Sequence, residues 1–242
     1  MQERTFIRNI APLTTGVFTI QDAAKVLGME GSGLKTYLHR LVERGVIASI
    51  ERGKYGLADL PAEILATNIV IPSYISFLWA LSFHKLSTQM PSVITTVALR
   101  RHVPLRISNM TIQFMVMKNG RFFGMAKHKA RDGAEFQVAE PEKAIIDSLC
   151  YPAHCPISEV IDSVRSAVDE ELLRKDVLVD HSLRMGSNAG AKRLGYLLDS
   201  LGIDIHDQLS SLVNDKYDPL DPFLPKRGRY VKRWHIVVNT EG

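Results

Sequence analysis

The sequence predicts an α+β protein: a small N-terminal domain, residues 1–60, followed by a larger mixed α/β C-terminal domain, residues 61–242. Three observations predict it. Two short amphipathic helical patterns and a basic hairpin occupy the first domain. Beyond it, strand patterns come first and helical patterns later, which is the order of an α+β domain. The charge balance also turns from basic to acidic partway along the chain. A chain of 242 residues holds one or two domains and buries a core without disulfide or metal staples. Hydrophobic residues at 45% and charged residues at 23% are ordinary globular proportions, which exclude a disordered or fibrous chain.

In the first domain, Thr19 caps a helix whose apolar positions Ile20, Ala23, Ala24 and Leu27 recur at helical spacing, and Gly28 ends it. After Gly28-Met29-Glu30-Gly31, Ser32 caps a second helix with the stripe Leu34, Tyr37, Leu38 and Leu41, terminated by Gly45. Residues 46–50 and 54–57 read as a hairpin with Arg52 at its tip. Two helices joined by a short Gly-containing turn and followed by a basic hairpin make a winged helix-turn-helix. At about 100° per residue, the face opposite Leu34, Leu38 and Leu41 presents Ser32, Thr36, His39 and Glu43, flanked by Lys35 and Arg40.

A recognition helix reads the major groove mainly with its N-terminal residues. Ser32, Lys35, Thr36 and His39 are therefore candidate base or phosphate contacts, and Arg40 a backbone contact. Arg52 and Lys54 of the wing are candidate phosphate contacts. The plainer alternatives are a solvated helix face or a helix-turn-helix used for protein interaction. A nucleotide loop is set aside, because Gly28, Gly31 and Gly33 follow a helix as GxxGxG, whereas the dinucleotide fingerprint is GxGxxG after a strand.

The net charge of +4 is small, so its distribution matters more than its size. Residues 1–60 hold eight basic against six acidic residues, residues 61–135 nine against three, and residues 136–225 eight against sixteen. Lys226, Arg227, Arg229, Lys232 and Arg233 then form a compact basic tail. In the basic middle, Arg100, Arg101 and Arg106 follow one predicted strand, and Lys127, Lys129 and Arg131 surround the next pair. These six are a candidate second nucleic-acid surface, although solvated strand edges carry such residues simply to discourage pairing. Phe122 and Phe123 beside them are suited to stacking on unpaired bases or to the core.

Residues 64–83 carry no charge over a length that could span a bilayer. Pro72 divides them, and the expected arrangement is an extended run at 69–71 followed by a buried helix capped by Ser73 and packed through Tyr74, Phe77, Leu78 and Leu81. The opening residues lack the apolar core of a signal peptide, and two cysteines fit a reduced compartment, so a cytoplasmic protein without membrane contact is expected. Further strands are predicted at 93–99, 111–117, 121–125, 135–139 and 234–238, and helices at 142–149, 157–168, 170–179 and 189–201.

Catalytic chemistry has no anchor. The histidines are scattered, without an HExxH or nucleophile motif. Cys150, His154 and Cys155 lack the second ligand pair of a structural zinc site. No catalytic residue, metal or cofactor is therefore expected. The alternative is a metal-dependent nuclease using Glu140, Glu142 and Lys143, but Pro141 interrupts the strand on which such a cluster would sit. Otherwise Glu142 reads as a carboxylate favoured by the helix N-terminus, contributing about 0.3–1 kcal/mol.

Three runs carry a family resemblance. They are Tyr74-Ile75-Ser76-Phe77-Leu78-Trp79-Ala80-Leu81-Ser82-Phe83-His84-Lys85-Leu86, then Gln137-Val138-Ala139-Glu140-Pro141-Glu142-Lys143-Ala144-Ile145-Ile146-Asp147-Ser148-Leu149, then Arg193-Leu194-Gly195-Tyr196-Leu197-Leu198-Asp199-Ser200-Leu201-Gly202. Together with the N-terminal pattern they resemble the AbiEi family of prokaryotic antitoxins and transcriptional regulators. The resemblance implies a winged helix-turn-helix followed by an antitoxin domain. It also implies a two-gene operon with a nucleotidyltransferase-like toxin, repressed by this protein through double-stranded DNA at its own promoter.

Overall fold

The structure, a computed structural model, describes residues 3–10, 16–107, 109–130 and 133–240. The chain divides into two compact units, residues 1–74 with 127–137, and residues 75–126 with 138–242. The first takes in the whole predicted N-terminal segment and adds 61–74 and 127–137.

The first unit opens with α1 (Glu3–Ile10), which buries Phe6 and Ile10, four residues apart on one face. Phe6 meets Phe18 at 5.8 Å and Tyr37 at 6.2 Å, both edge to face. Phe18 lies on β1 (Val17–Thr19), and Thr19 then caps α2 (Ile20–Leu27). The cap is reciprocal: Asp22 N–H donates to Thr19 Oγ1 at 3.2 Å, and Thr19 N–H donates to Asp22 Oδ2 at 2.8 Å. Gly28 ends α2 in the left-handed region at φ 61°, which lets its N–H reach Ala24 O at 2.9 Å.

The next helix, α3 (Gly31–Glu43), starts two residues before the sequence places it. Glu30, not Ser32, is its N-cap and makes no side-chain capping bond, so Ser32 sits exposed in the first turn. Leu34, Leu38 and Leu41 point into a core shared with Phe6, Phe18, Ala23 and Ile47. β2 (Ile47–Glu51) and β3 (Lys54–Leu57) form the wing, and β1 pairs antiparallel with β3, giving the order β1-β3-β2. After α4 (Ala62–Asn68), the Asn68 amide donates to Ile64 O at 2.7 Å and to Glu135 O at 3.0 Å.

β4 (Ser73–Ser76) leads into α5 (Phe77–Phe83), then β5 (Val93–Ala98), β6 (Leu105–Ile107), β7 (Met110–Val116), β8 (Met125–Lys129) and β9 (Glu135–Ala139). Their sheet has the order β6-β7-β5-β4-β9-β8. β5 runs parallel to β7, Val93 opposite Thr111 through Ala98 opposite Val116, and β6 pairs antiparallel with β7. From Ile94 to Ala98 every residue is buried, as expected for a strand covered on both faces.

α6 (Pro141–Cys150) is buried from Glu142 through Leu149 because α5, α7 (Ile157–Asp169), α8 (Lys175–Met185) and α9 (Asn188–Ser200) all pack on it. α10 (His206–Leu209) follows, and β10 (Asp218–Pro219), β11 (Arg229–Val231) and β12 (Ile236–Val238) form a small sheet ordered β10-β12-β11. Beside it Trp234 is fully buried against Gly195, where an added Cβ would lie 2.2 Å from the indole. The whole chain is thus α+β, as its pattern predicts.

Several expectations are corrected. Ser73 opens a strand, not a helix: its hydroxyl turns back to the Val70 and Thr67 carbonyls, and the helix begins only at Phe77. Every residue of Ser73–Ser76 is buried, and periodicity cannot separate a strand covered on both faces from a buried helix. The strand predicted at 121–125 lies instead at Met125–Lys129, because a 3-10 turn at Asn119–Arg121 precedes it and Phe123 turns into the core. The helix predicted at 170–179 starts at Lys175, because Glu171 takes a left-handed φ of 55° that stops α7 from continuing. The uncharged stretch holds the end of one seven-residue helix, a strand and a second seven-residue helix. Among the described residues no helix is long and apolar enough to cross a membrane.

Candidate nucleic-acid interface

The face of α3 turned away from Leu34, Leu38 and Leu41 carries Ser32, Lys35, Thr36, His39 and Arg40, and all five are exposed. Among the described residues the side chains of Lys35 and Arg40 have no ion-pair partner. His39 Nε2 lies 3.4 Å from Glu43 Oε1, one turn further along the helix. Glu30 makes no side-chain capping bond, so no N-cap side chain occupies the first backbone N–H groups of α3, next to Ser32. Hydroxyls, cations and an uncapped helix end together suit a phosphate backbone and the groove beside it. At the wing, Arg52 is exposed at the hairpin tip. Lys54 is not free in the same way: its ammonium lies 2.7 Å from Glu51 Oε1 and donates to Ile69 O at 2.9 Å.

Residues 6–58 match the AbiEi antitoxins, a family of transcriptional regulators. No curated protein matches the chain. The AbiEi match begins within α1 and ends just after β3, so it spans the complete winged helix-turn-helix and its core. Two elements of the matched segment, α1 and β1, lie outside the sequence reading. The available signal was Phe6, Ile7 and Ile10 at helical spacing.

The three runs that carry the resemblance lie beyond the AbiEi match, and the structure shows what they do locally. Arg193 donates to the carbonyls of Leu149, Pro219 and Leu220 at 2.9–3.2 Å, tying α6, α9 and β10 together. Ser76 Oγ donates to Asp147 Oδ2 at 2.8 Å, and the other Asp147 oxygen receives the Lys143 ammonium, all fully buried. Lys143 is also packed beneath the Phe123 ring, 4.8 Å from its centre.

Glu142 faces elsewhere. Arg174 donates to its two carboxylate oxygens through backbone N at 3.0 Å, Nε at 2.9 Å and Nη2 at 2.9 Å. Burial raises the Glu142 pKa, but the Arg174 bonds outweigh it and hold the carboxyl below its ordinary value. Glu142 is thus clasped by an arginine and not simply set at a helix N-terminus, and the sequence offered no signal for Arg174, which lies 32 residues on. Glu140, Glu142 and Lys143 do not converge on one point: the two carboxylates face Arg174, and Lys143 faces Asp147.

Burial pushes the Cys150 thiol up to about 11 and the Cys155 thiol to about 12, so both stay protonated near neutrality. Among the described residues no three His, Cys, Asp or Glu side chains are grouped to hold a metal.

Of the second basic set, Arg100, Arg101 and Arg106 are exposed in the second unit, whereas Lys127 and Lys129 are exposed in the first. Lys127 pairs with Glu135 at 3.3 Å, and Arg131 lies outside the described residues. Phe123 is core: buried, with the Arg184 guanidinium 3.8 Å from its ring centre.

Proposed function

We propose that the protein is a cytoplasmic DNA-binding autorepressor and antitoxin, which represses its own promoter and counteracts a nucleotidyltransferase-like toxin. The observation that carries this reading is the exposed, cationic face of α3 within a segment matching AbiEi regulators. Residues 1–60 would bind DNA and residues 61–242 would act as the antitoxin part. Ser32, Lys35, Thr36 and His39 would meet bases and phosphates, and Arg40 and Arg52 the backbone. Lys54 would brace the wing. The plainer use of a helix-turn-helix, protein interaction, needs no salt-dependent DNA affinity.

A mobility-shift titration with the promoter duplex tests it. Thr36→Ala and His39→Ala should change the preference among operator variants, each lost base contact being worth about 1–3 kcal/mol of discrimination. Unchanged affinity and preference in both variants would remove α3 as the reading helix. Co-expression with the adjacent toxin, counting survivors, tests the second half of the reading: variants that lose repression through α3 should still protect.

A further inference from the structure

We propose that residues 222–232 form a second nucleic-acid contact, specific for unpaired strands, in which cations hold phosphates and exposed rings stack on bases. The basic tail projects as a loop whose residues 222–230 are all exposed, yet it is tightly built. The Asn239 amide accepts from Asp221 N at 2.9 Å and donates to the carbonyls of Asp221, Leu224 and Pro225 at 2.8–3.3 Å. Asp221 Oδ1 accepts from Phe223 N at 2.8 Å. Gly228 lies so close to β12 that a Cβ there would sit 1.9 Å from Val238 O. Lys226 reaches the Tyr217 carbonyl, and the Tyr230 ring packs edge-on against Tyr217 at 5.1 Å.

This ordering displays groups that folding alone gives no reason to expose. Phe223 is 69% and Tyr230 59% exposed. Between residues 222 and 240 the sequence has five basic residues and no acidic one. Arg233 is committed to Asp199 and Asp204, but among the described residues the side chains of Arg227 and Lys232 have no ion-pair or hydrogen-bond partner. Phe223 also walls a groove of about 640 Å³ with Trp79, Gln113 and His154, room enough for a base.

Rigid cations beside solvent-facing rings match a ligand that offers both closely spaced phosphates and free base faces. A duplex hides those faces in its stack, whereas an unpaired strand presents them. Pre-ordering the loop also removes the entropy that a flexible tail would lose on binding.

Fluorescence anisotropy of the full chain with short unstructured RNA and DNA oligonucleotides, beside the promoter duplex, tests the proposal. Arg227→Ala with Lys232→Ala should weaken binding of the single strands and lower the salt slope by about 1.4. Tyr230→Ala should weaken it about fivefold or more with the slope unchanged, and Tyr230→Phe should restore it. Duplex affinity should stay constant in all of them. The tighter of RNA and DNA identifies the source of the strand, and either supports the proposal. Absence of single-strand binding, indifference to these changes, or a parallel loss of duplex affinity would overturn it. Arg227 and Lys232 are exposed, so the thermal midpoint of that double variant should not move and cannot account for lost binding, and Tyr230→Phe keeps the ring that meets Tyr217.

Discussion

Glu142 shows how one partner changes the energetics of a residue. A carboxylate in a first helical turn is favoured by a few tenths of a kcal/mol to about 1 kcal/mol. Here the same carboxylate is buried and receives three bonds from Arg174. Glu142→Gln keeps the shape but sets an amide N–H₂ against a guanidinium donor and removes the charge. Bonds to charged groups are worth about 1.5–3 kcal/mol, and water around the half-exposed Arg174 moderates that figure. Discounted for that screening, a loss of about 1–2 kcal/mol in chemical denaturation is expected, with promoter binding intact. A loss under about 1 kcal/mol would mean the dipole accounts for most of the effect.

The wing separates two basic residues that look equivalent in sequence. Arg52 stands exposed at the tip, whereas Lys54 is held by Glu51 and the Ile69 carbonyl. Arg52→Ala should therefore weaken binding to all duplexes and reduce the salt slope by about 0.9, the value for one phosphate on B-DNA. Lys54→Ala should leave the slope unchanged and act through a less firmly held hairpin. Equal slope changes in salt-dependent titrations would show that Lys54 leaves its partners to meet phosphate.

Acid sensitivity belongs to the second unit as a whole. Burial lowers the pKa of both His154 and His181, so the folded protein resists the protons that an unfolded chain takes up near pH 6.5. Stability should be level above about pH 6.5 and fall as the pH drops from there toward the lowered folded-state values. The depressed Glu142 carboxyl contributes stability that is fully present above its ordinary value and is lost as the pH falls through its folded one. Urea midpoints from pH 7.5 to 5 should show the first decline, and His181→Gln should flatten part of it. A midpoint independent of pH over that range would contradict the burial argument.

The helix-turn-helix was legible in the sequence because its determinants are local. Thr19 caps through Asp22, Gly28 closes through Ala24, and Leu34, Leu38 and Leu41 fall on one face, all within four residues of their partners or of one another. The exposed polar face of α3 followed by geometry, and the hairpin by its turn. What only the tertiary structure decided were matters settled by distant partners. Ser73–Ser76 is a strand because both its faces are covered, which residue order alone cannot show. Glu142 and Lys143, adjacent in the chain, serve different contacts: Lys143 pairs with Asp147 one turn along the same helix, whereas Glu142 is held by Arg174, 32 residues away. The tail is a fixed projection and not a loose basic end, because Asn239 and the backbone beside Gly228 clamp it. Local bonds are set by spacing along the chain; burial and pairing across it depend on which surfaces meet when the chain folds.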